Sequence, residues 1–105
     1  MIRHCVFLNL AAGEASDALT QVMTELSGLV TKLDGCSGFQ YGPNRDFEGK
    51  SRDFAYGFVF DATDRTALQT YAEHPTHVAL GTRLVALCAG GADGIMVFDI
   101  ETGAQ

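Results

Sequence analysis

The chain is short of positive charge. It carries seven lysines and arginines against thirteen aspartates and glutamates, a formal net charge of −6. A phosphate-tracking surface is not expected from such a balance, and neither is nucleic acid as a partner. Long apolar runs are missing too. None approaches the ~20 residues that span a bilayer, and the start has no charged-then-apolar leader, so no membrane association is expected. Cys5, Cys36 and Cys88 are odd in number and widely spaced. They read as reduced, buried thiols of a cytoplasmic protein rather than as a disulfide framework. The catalytic signatures that a short chain could show are also absent. There is no Gly-x-Ser-x-Gly elbow and no Cys–His protease pattern. Gly90, Gly91 and Gly94 precede a strand and not a helix, so they cradle no phosphate.

What is present is an ordinary globular composition, 47% hydrophobic and 19% charged over 105 residues. One domain spanning 1–105 with a single core is expected. Residues 2–10 alternate as a strand, with Ile2, His4, Val6 and Leu8 on one face and Arg3, Cys5, Phe7 and Asn9 on the other. Leu19, Val22, Met23, Leu26, Leu29, Val30 and Leu33 follow three-four spacing and predict a helix, with Ser16 as its N-cap and Gly35 just past its end. A second strand runs from Cys36 to Gly42. A polar loop covers 45–52. A third strand over 54–60 places Phe54, Tyr56, Phe58 and Phe60 on one face. Thr63 or Asp64 caps a helix reaching about Glu73, and Pro75 suits the first position of a new helix. That helix carries His77, Gly81, Leu84, Val85 and Cys88 on one side. Ile95–Ile100 forms the last strand, and 101–105 is expected to fray.

The order βαββαβ predicts an α+β, ferredoxin-like fold: a four-stranded antiparallel sheet with its helices on one face. Two helices cover only one side of four strands. Yet Ile95-Met96-Val97-Phe98 is apolar on both sides, and Cys5, Phe7, Ala55 and Val59 add to the uncovered face. At about 25 cal/mol per Å², hiding such a patch is strongly favourable before association costs are subtracted. A homodimer joined sheet to sheet is therefore expected.

The chemistry-bearing residues cluster in Tyr71-Ala72-Glu73-His74-Pro75-Thr76-His77, which holds two of the three histidines. Imidazole exchanges protons near neutral pH. His77 lies on the apolar stripe of its helix, near an N-terminus whose dipole favours the neutral ring, and Gly81 one turn later leaves room beside it. It is a candidate general base, or else a buried histidine bonded to backbone. His74, just before Pro75, reads as an N-cap with a secondary place in ligand binding. His4 faces the same core as His77 and becomes a pocket candidate with it; alone it would be core filler. Tyr71 can donate a hydrogen bond to a carbonyl, or simply pack. No acidic residue or cysteine stands at a spacing that would complete a metal site with these histidines, so neither metal nor cofactor is expected.

The chain resembles the stress-responsive A/B barrel domain (Dabb) family over nearly its whole length. The resemblance rests on Ile2-Arg3-His4, Gly42-Pro43-Asn44, Phe58-Val59-Phe60 before a helix cap, the Tyr71–His77 segment and Val97-Phe98-Asp99. It implies two ferredoxin-like subunits closing a dimeric α+β barrel. Family members include a plant polyketide cyclase that closes a ring by aldol chemistry without metal or cofactor. In that enzyme a pocket between sheet and helices uses the residues matching Tyr71 and His77, with His4 matching its first-strand histidine. Where the cyclase has a pocket-lining histidine on the third strand, this chain has Phe54, and Tyr56 and Phe58 are bulkier than their counterparts. The resemblance thus implies a pocket for a small apolar or phenolic ligand, with His77, Tyr71 and His4 catalytic. Val6, Leu8, Tyr56, Phe58, His74 and Gly81 would contact the ligand. Two further readings stay open: a non-catalytic stress or accessory protein whose core is filled by Phe54, Tyr56, Phe58 and Phe60, and a cofactor-free oxygenase of the dimeric α+β barrel group.

Overall fold

Seven regular elements follow the alternations and caps just described. In the computed structural model, which describes residues 1–103, they are β1 (Ile2–Leu8), α1 (Asp17–Lys32), β2 (Cys36–Pro43), β3 (Tyr56–Ala62), α2 (Arg65–Glu73), α3 (Pro75–Ala86) and β4 (Ile95–Glu101). The strands form one antiparallel sheet in the order β2-β3-β1-β4. The fold is ferredoxin-like, with all helices on one face. None of the described helices is long and apolar enough to cross a membrane.

Local chemistry sets the element ends. Ser16 Oγ accepts a hydrogen bond from Leu19 N at 3.2 Å and starts α1, and Asp64 does the same for α2 through Ala67 N at 2.9 Å. Gly35 sits at φ +81°, where a Cβ would stand 2.8 Å from Thr63 Oγ1 and 2.9 Å from Ala67 Cβ. Only glycine fits this corner between α1 and β2. The apolar stripe of α1 is buried from Leu19 to Val30. It seals the sheet face that carries Val6, Leu8, Tyr56, Phe58 and Phe60, all buried.

Three features differ from the sequence reading. First, β3 begins at Tyr56 and not at Phe54. Phe54 N donates to Ser51 O at 3.1 Å and its carbonyl accepts from Asn44 Nδ2 at 2.8 Å. The loop thus uses its backbone, and the ring lies near Phe7, Met96 and Phe98 on the opposite side of the sheet. Second, the C-terminal strand continues to Glu101, and Thr102 N donates to Met1 O at 2.8 Å. The expected fraying therefore fails at its start, and Ala104 and Gln105 lie outside the described residues. Third, α3 buries Leu80 and Leu84, leaving His77, Gly81 and Val85 only partly covered along its flank. The helices stop short of β4, so Val97 on their side of the sheet remains 47% exposed.

Candidate functional site

That gap between α3 and the β1–β4 edge is a cleft of about 540 Å³. His4, Val6 and Phe58 line it from the sheet, Tyr71 from α2, His77 and Gly81 from α3, and Val97 from β4. Gly81 matters through what it lacks: a Cβ built there meets no atom within 4 Å.

His74 explains how two of these groups come together. It ends α2 and, through Nδ1 accepting from Thr76 N at 3.1 Å, begins α3. Pro75 fills the first helical position, where a missing N–H costs nothing. The elbow places Tyr71 in the last turn of one helix and His77 in the first turn of the next, with ring centroids 4.4 Å apart. His4 reaches the same spot from β1, its ring 5.7 Å from that of Tyr71 in an edge-on arrangement.

The protonation states follow from the partners. His77 Nδ1 lies 2.8 Å from the carbonyl oxygen of Ala72. A carbonyl only accepts, so Nδ1 is the donor, and in the neutral ring Nε2 is the free acceptor. Burial pushes the His77 pKa down, the Ala72 carbonyl opposes that, and the nearby His4 and His74 add to the lowering. His77 is thus held as a neutral imidazole with an unprotonated nitrogen. Tyr71 is 1% exposed. Its hydroxyl is buried without a hydrogen-bond partner, and burial raises its pKa well above the usual phenol range. An orphaned buried hydroxyl costs about 1–3 kcal/mol unless something accepts its proton. His4 Nδ1 donates to Asp99 Oδ1 at 2.5 Å. The carboxylate fixes the tautomer and the orientation of the ring.

The structure therefore brings together His4, Tyr71, His77, Val6, Phe58 and Gly81. It does not bring the other three expected lining residues to the cleft. Leu8 and Tyr56 are buried at the far end of the sheet, paired with each other across β1 and β3. His74 is turned away into a separate depression beside Glu25, Leu29 and Lys32; its ring is spent on capping. Tyr56, Phe58 and Phe60 do fill the core, but with Phe54 elsewhere and the β4 edge uncovered they do not close the cleft. Asp99 is the group that sequence reasoning missed. Its signal was available: alternation along β4 puts Asp99 on the helix side with Ile95 and Val97, and antiparallel pairing sets it opposite His4. Among the described residues, no three His, Cys, Asp or Glu side chains gather as a metal site.

A four-stranded ferredoxin-like sheet with a histidine–tyrosine cleft under its helices defines the class of protein. The family is then specific: residues 2–102 match the stress responsive A/B barrel domain, and the chain belongs to that family. Solved structures agree. A dimeric ferredoxin-like protein of unknown function from Jannaschia sp. CCS1 is 45% identical, with a TM-score of 0.86 over 96% of this chain and 98% of that one. A Dabb family protein from Mesorhizobium loti is 21% identical, with a TM-score of 0.74 over 98% and 97%. A hydroxynitrile lyase from Passiflora edulis shares the fold at 11% identity, with a TM-score of 0.79 over 99% and 94%. No curated protein matches the chain.

Proposed function

We propose that the cleft binds a small, neutral carbonyl or phenolic compound and performs cofactor-free proton transfer on it. The observation that carries this is the contact of the Tyr71 and His77 rings, 4.4 Å apart between centroids, in a largely apolar cleft, with the Tyr71 hydroxyl an unused donor and His77 Nε2 an acceptor. A carbonyl oxygen takes the hydrogen bond that Tyr71 lacks. His77 Nε2 takes the proton from the adjacent carbon and becomes imidazolium, while the C–H electron pair moves into an enolate that Tyr71 stabilises. Return of the proton at another carbon gives an isomer; attack of the enolate carbon on a second carbonyl closes a ring. His4, oriented by Asp99, is the second proton carrier. The lyase of the same fold supports this only as an example of a catalyst on the architecture.

The test is a binding and turnover screen with β-diketones and substituted phenols. A hit that shifts the melting temperature should lose turnover at least about a hundredfold in His77→Ala. Tyr71→Phe should weaken binding of the carbonyl compounds first. Undiminished turnover in His77→Ala would overturn the assignment.

We further infer that two copies associate through the outer face of the sheet. Met96, Phe98 and Ile100 are exposed there, at 41%, 48% and 53%, and the 45% identical relative is dimeric. Burying such side chains is the principal gain of association.

A further inference from the structure

We propose that Phe47 is an anchor locking two copies of this chain together, its ring seated in the groove of the second copy formed by Phe7, Phe54, Met96 and Phe98. The inference rests on the sheet-to-sheet association above and assigns it a specific contact.

Phe47 is 97% exposed, yet its loop is not loose. The Asp46 carboxylate accepts from Lys50 N at 2.8 Å and Ser51 N at 3.1 Å, and Gly49 N donates to Asp46 O at 3.0 Å. Asn44 Nδ2 ties the loop's ends to Ser51 Oγ at 2.7 Å and Phe54 O at 2.8 Å. Asp46 and Arg52 are held at φ +45° and +46°, a conformation that non-glycine residues seldom adopt. A braced loop that presents a bare aromatic ring to water has already met the ordering cost that association normally exacts. Rigid aromatic side chains entering apolar pockets are what dominate binding at interfaces.

The receiving surface lies next to the same loop. On the outer face, residues 50–54 and the three aromatic and methionine side chains of β1 and β4 enclose a groove of about 570 Å³, ample for one ring. Because each copy carries both knob and groove, a two-fold axis makes two reciprocal insertions from one contact. Charge gives the orientation. Phe47 stands between Asp46 and Glu48, and the groove is rimmed by Lys50 and Arg52 with Asp53 as the single acid. Asp46 is engaged by its own loop, so Glu48 is the acid left to face Lys50 and Arg52 of the other copy, a contact that sets register more than strength.

Sedimentation velocity over a concentration series decides it, with Phe47→Ser, Met96→Ser and the double variant. The expected result is a dimeric wild type and a dissociation constant raised at least about tenfold in Phe47→Ser. In the double variant the loss should fall well short of the product of the two singles, since either change empties the same contact. With its ring 97% exposed, Phe47 has little packing to lose, so circular dichroism of Phe47→Ser should match the wild type. A dimer indifferent to Phe47→Ser, or losses that multiply independently, would overturn the anchor while leaving sheet pairing intact. A monomeric wild type would remove both.

Discussion

The two faces of this sheet are similarly rich in apolar side chains, but the chain treats them differently. On the helix side, α1 and the α2–α3 elbow bury Val6, Leu8, Phe58 and Phe60, and the cleft remains only where the helices run out before β4. On the outer side no helix among the described residues covers the sheet, and Phe98 and Ile100 stay about half exposed; the charged residue of β1 there is Arg3, paired with Asp61 at 2.9 and 3.0 Å. The difference lies in the polar groups. The inner face keeps a buried hydroxyl without a partner and a ring nitrogen free to accept, which suits a small molecule. The outer face offers apolar side chains beside a neutralised Arg3–Asp61 pair and the charged rim of Lys50, Arg52 and Asp53, which suits another protein surface.

The contrast can be broken most forcefully from outside. Phe98→Asp puts a carboxylate among the exposed apolar side chains of β4 on the outer face, and should raise the dimer dissociation constant more than about a hundredfold, leaving a folded monomer in sedimentation equilibrium. A dimer that survives this change would show that the association uses another surface. From the inside, Gly81→Leu fills the space above His77 where no atom lies within 4 Å of a built Cβ. It should weaken any ligand of the cleft by at least about tenfold in a titration while leaving the dimer unchanged. Gly81→Ala should do the reverse of damage, raising stability by about 0.5–1 kcal/mol in chemical denaturation through helix propensity alone.

The subtlest difference is in pH dependence. His77 is held below its ordinary value of 6.5, chiefly by burial. Between that value and its lower folded pKa, the unfolded chain binds more protons, so stability falls as pH drops through this window. The carboxyls of Asp61, beside Arg3, and Glu25, beside Arg83, are shifted below their ordinary range instead. Their contributions are lost only in more acidic solution. The wild-type melting temperature should therefore fall from pH 7.5 to 5.5, and fall less in His77→Gln. Equal slopes would mean that the imidazole is solvated in the folded state.

Much of this was legible because periodicity reports burial directly. The stripe of α1, the alternation of β1, the Ser16 cap and the Pro75 start each follow from one local rule, and His4, Tyr71 and His77 reach one cleft as those faces require. What escaped were features set by partners distant in sequence. The phase of Phe54 looks like a continuation of β3, yet it is decided by Asn44, ten positions earlier. Leu8 and Tyr56 share the helix-facing side with the cleft residues, but pattern gives the side and not the end of the sheet. Asp99 needed strand register, which is a property of pairing and not of one segment.

The shared residue of the elbow has an evolutionary corollary. His74 closes one helix and opens the next with no residue to spare, so each insertion or deletion between Tyr71 and His77 would turn the following helix by about 100° and carry the imidazole off the cleft. Substitutions there can be absorbed one at a time; a change in length cannot. Among divergent relatives that keep a working cleft, this six-residue step should vary in composition but stay constant in spacing, whereas the loop carrying Phe47 is free to grow or shrink wherever pairing is achieved by other means.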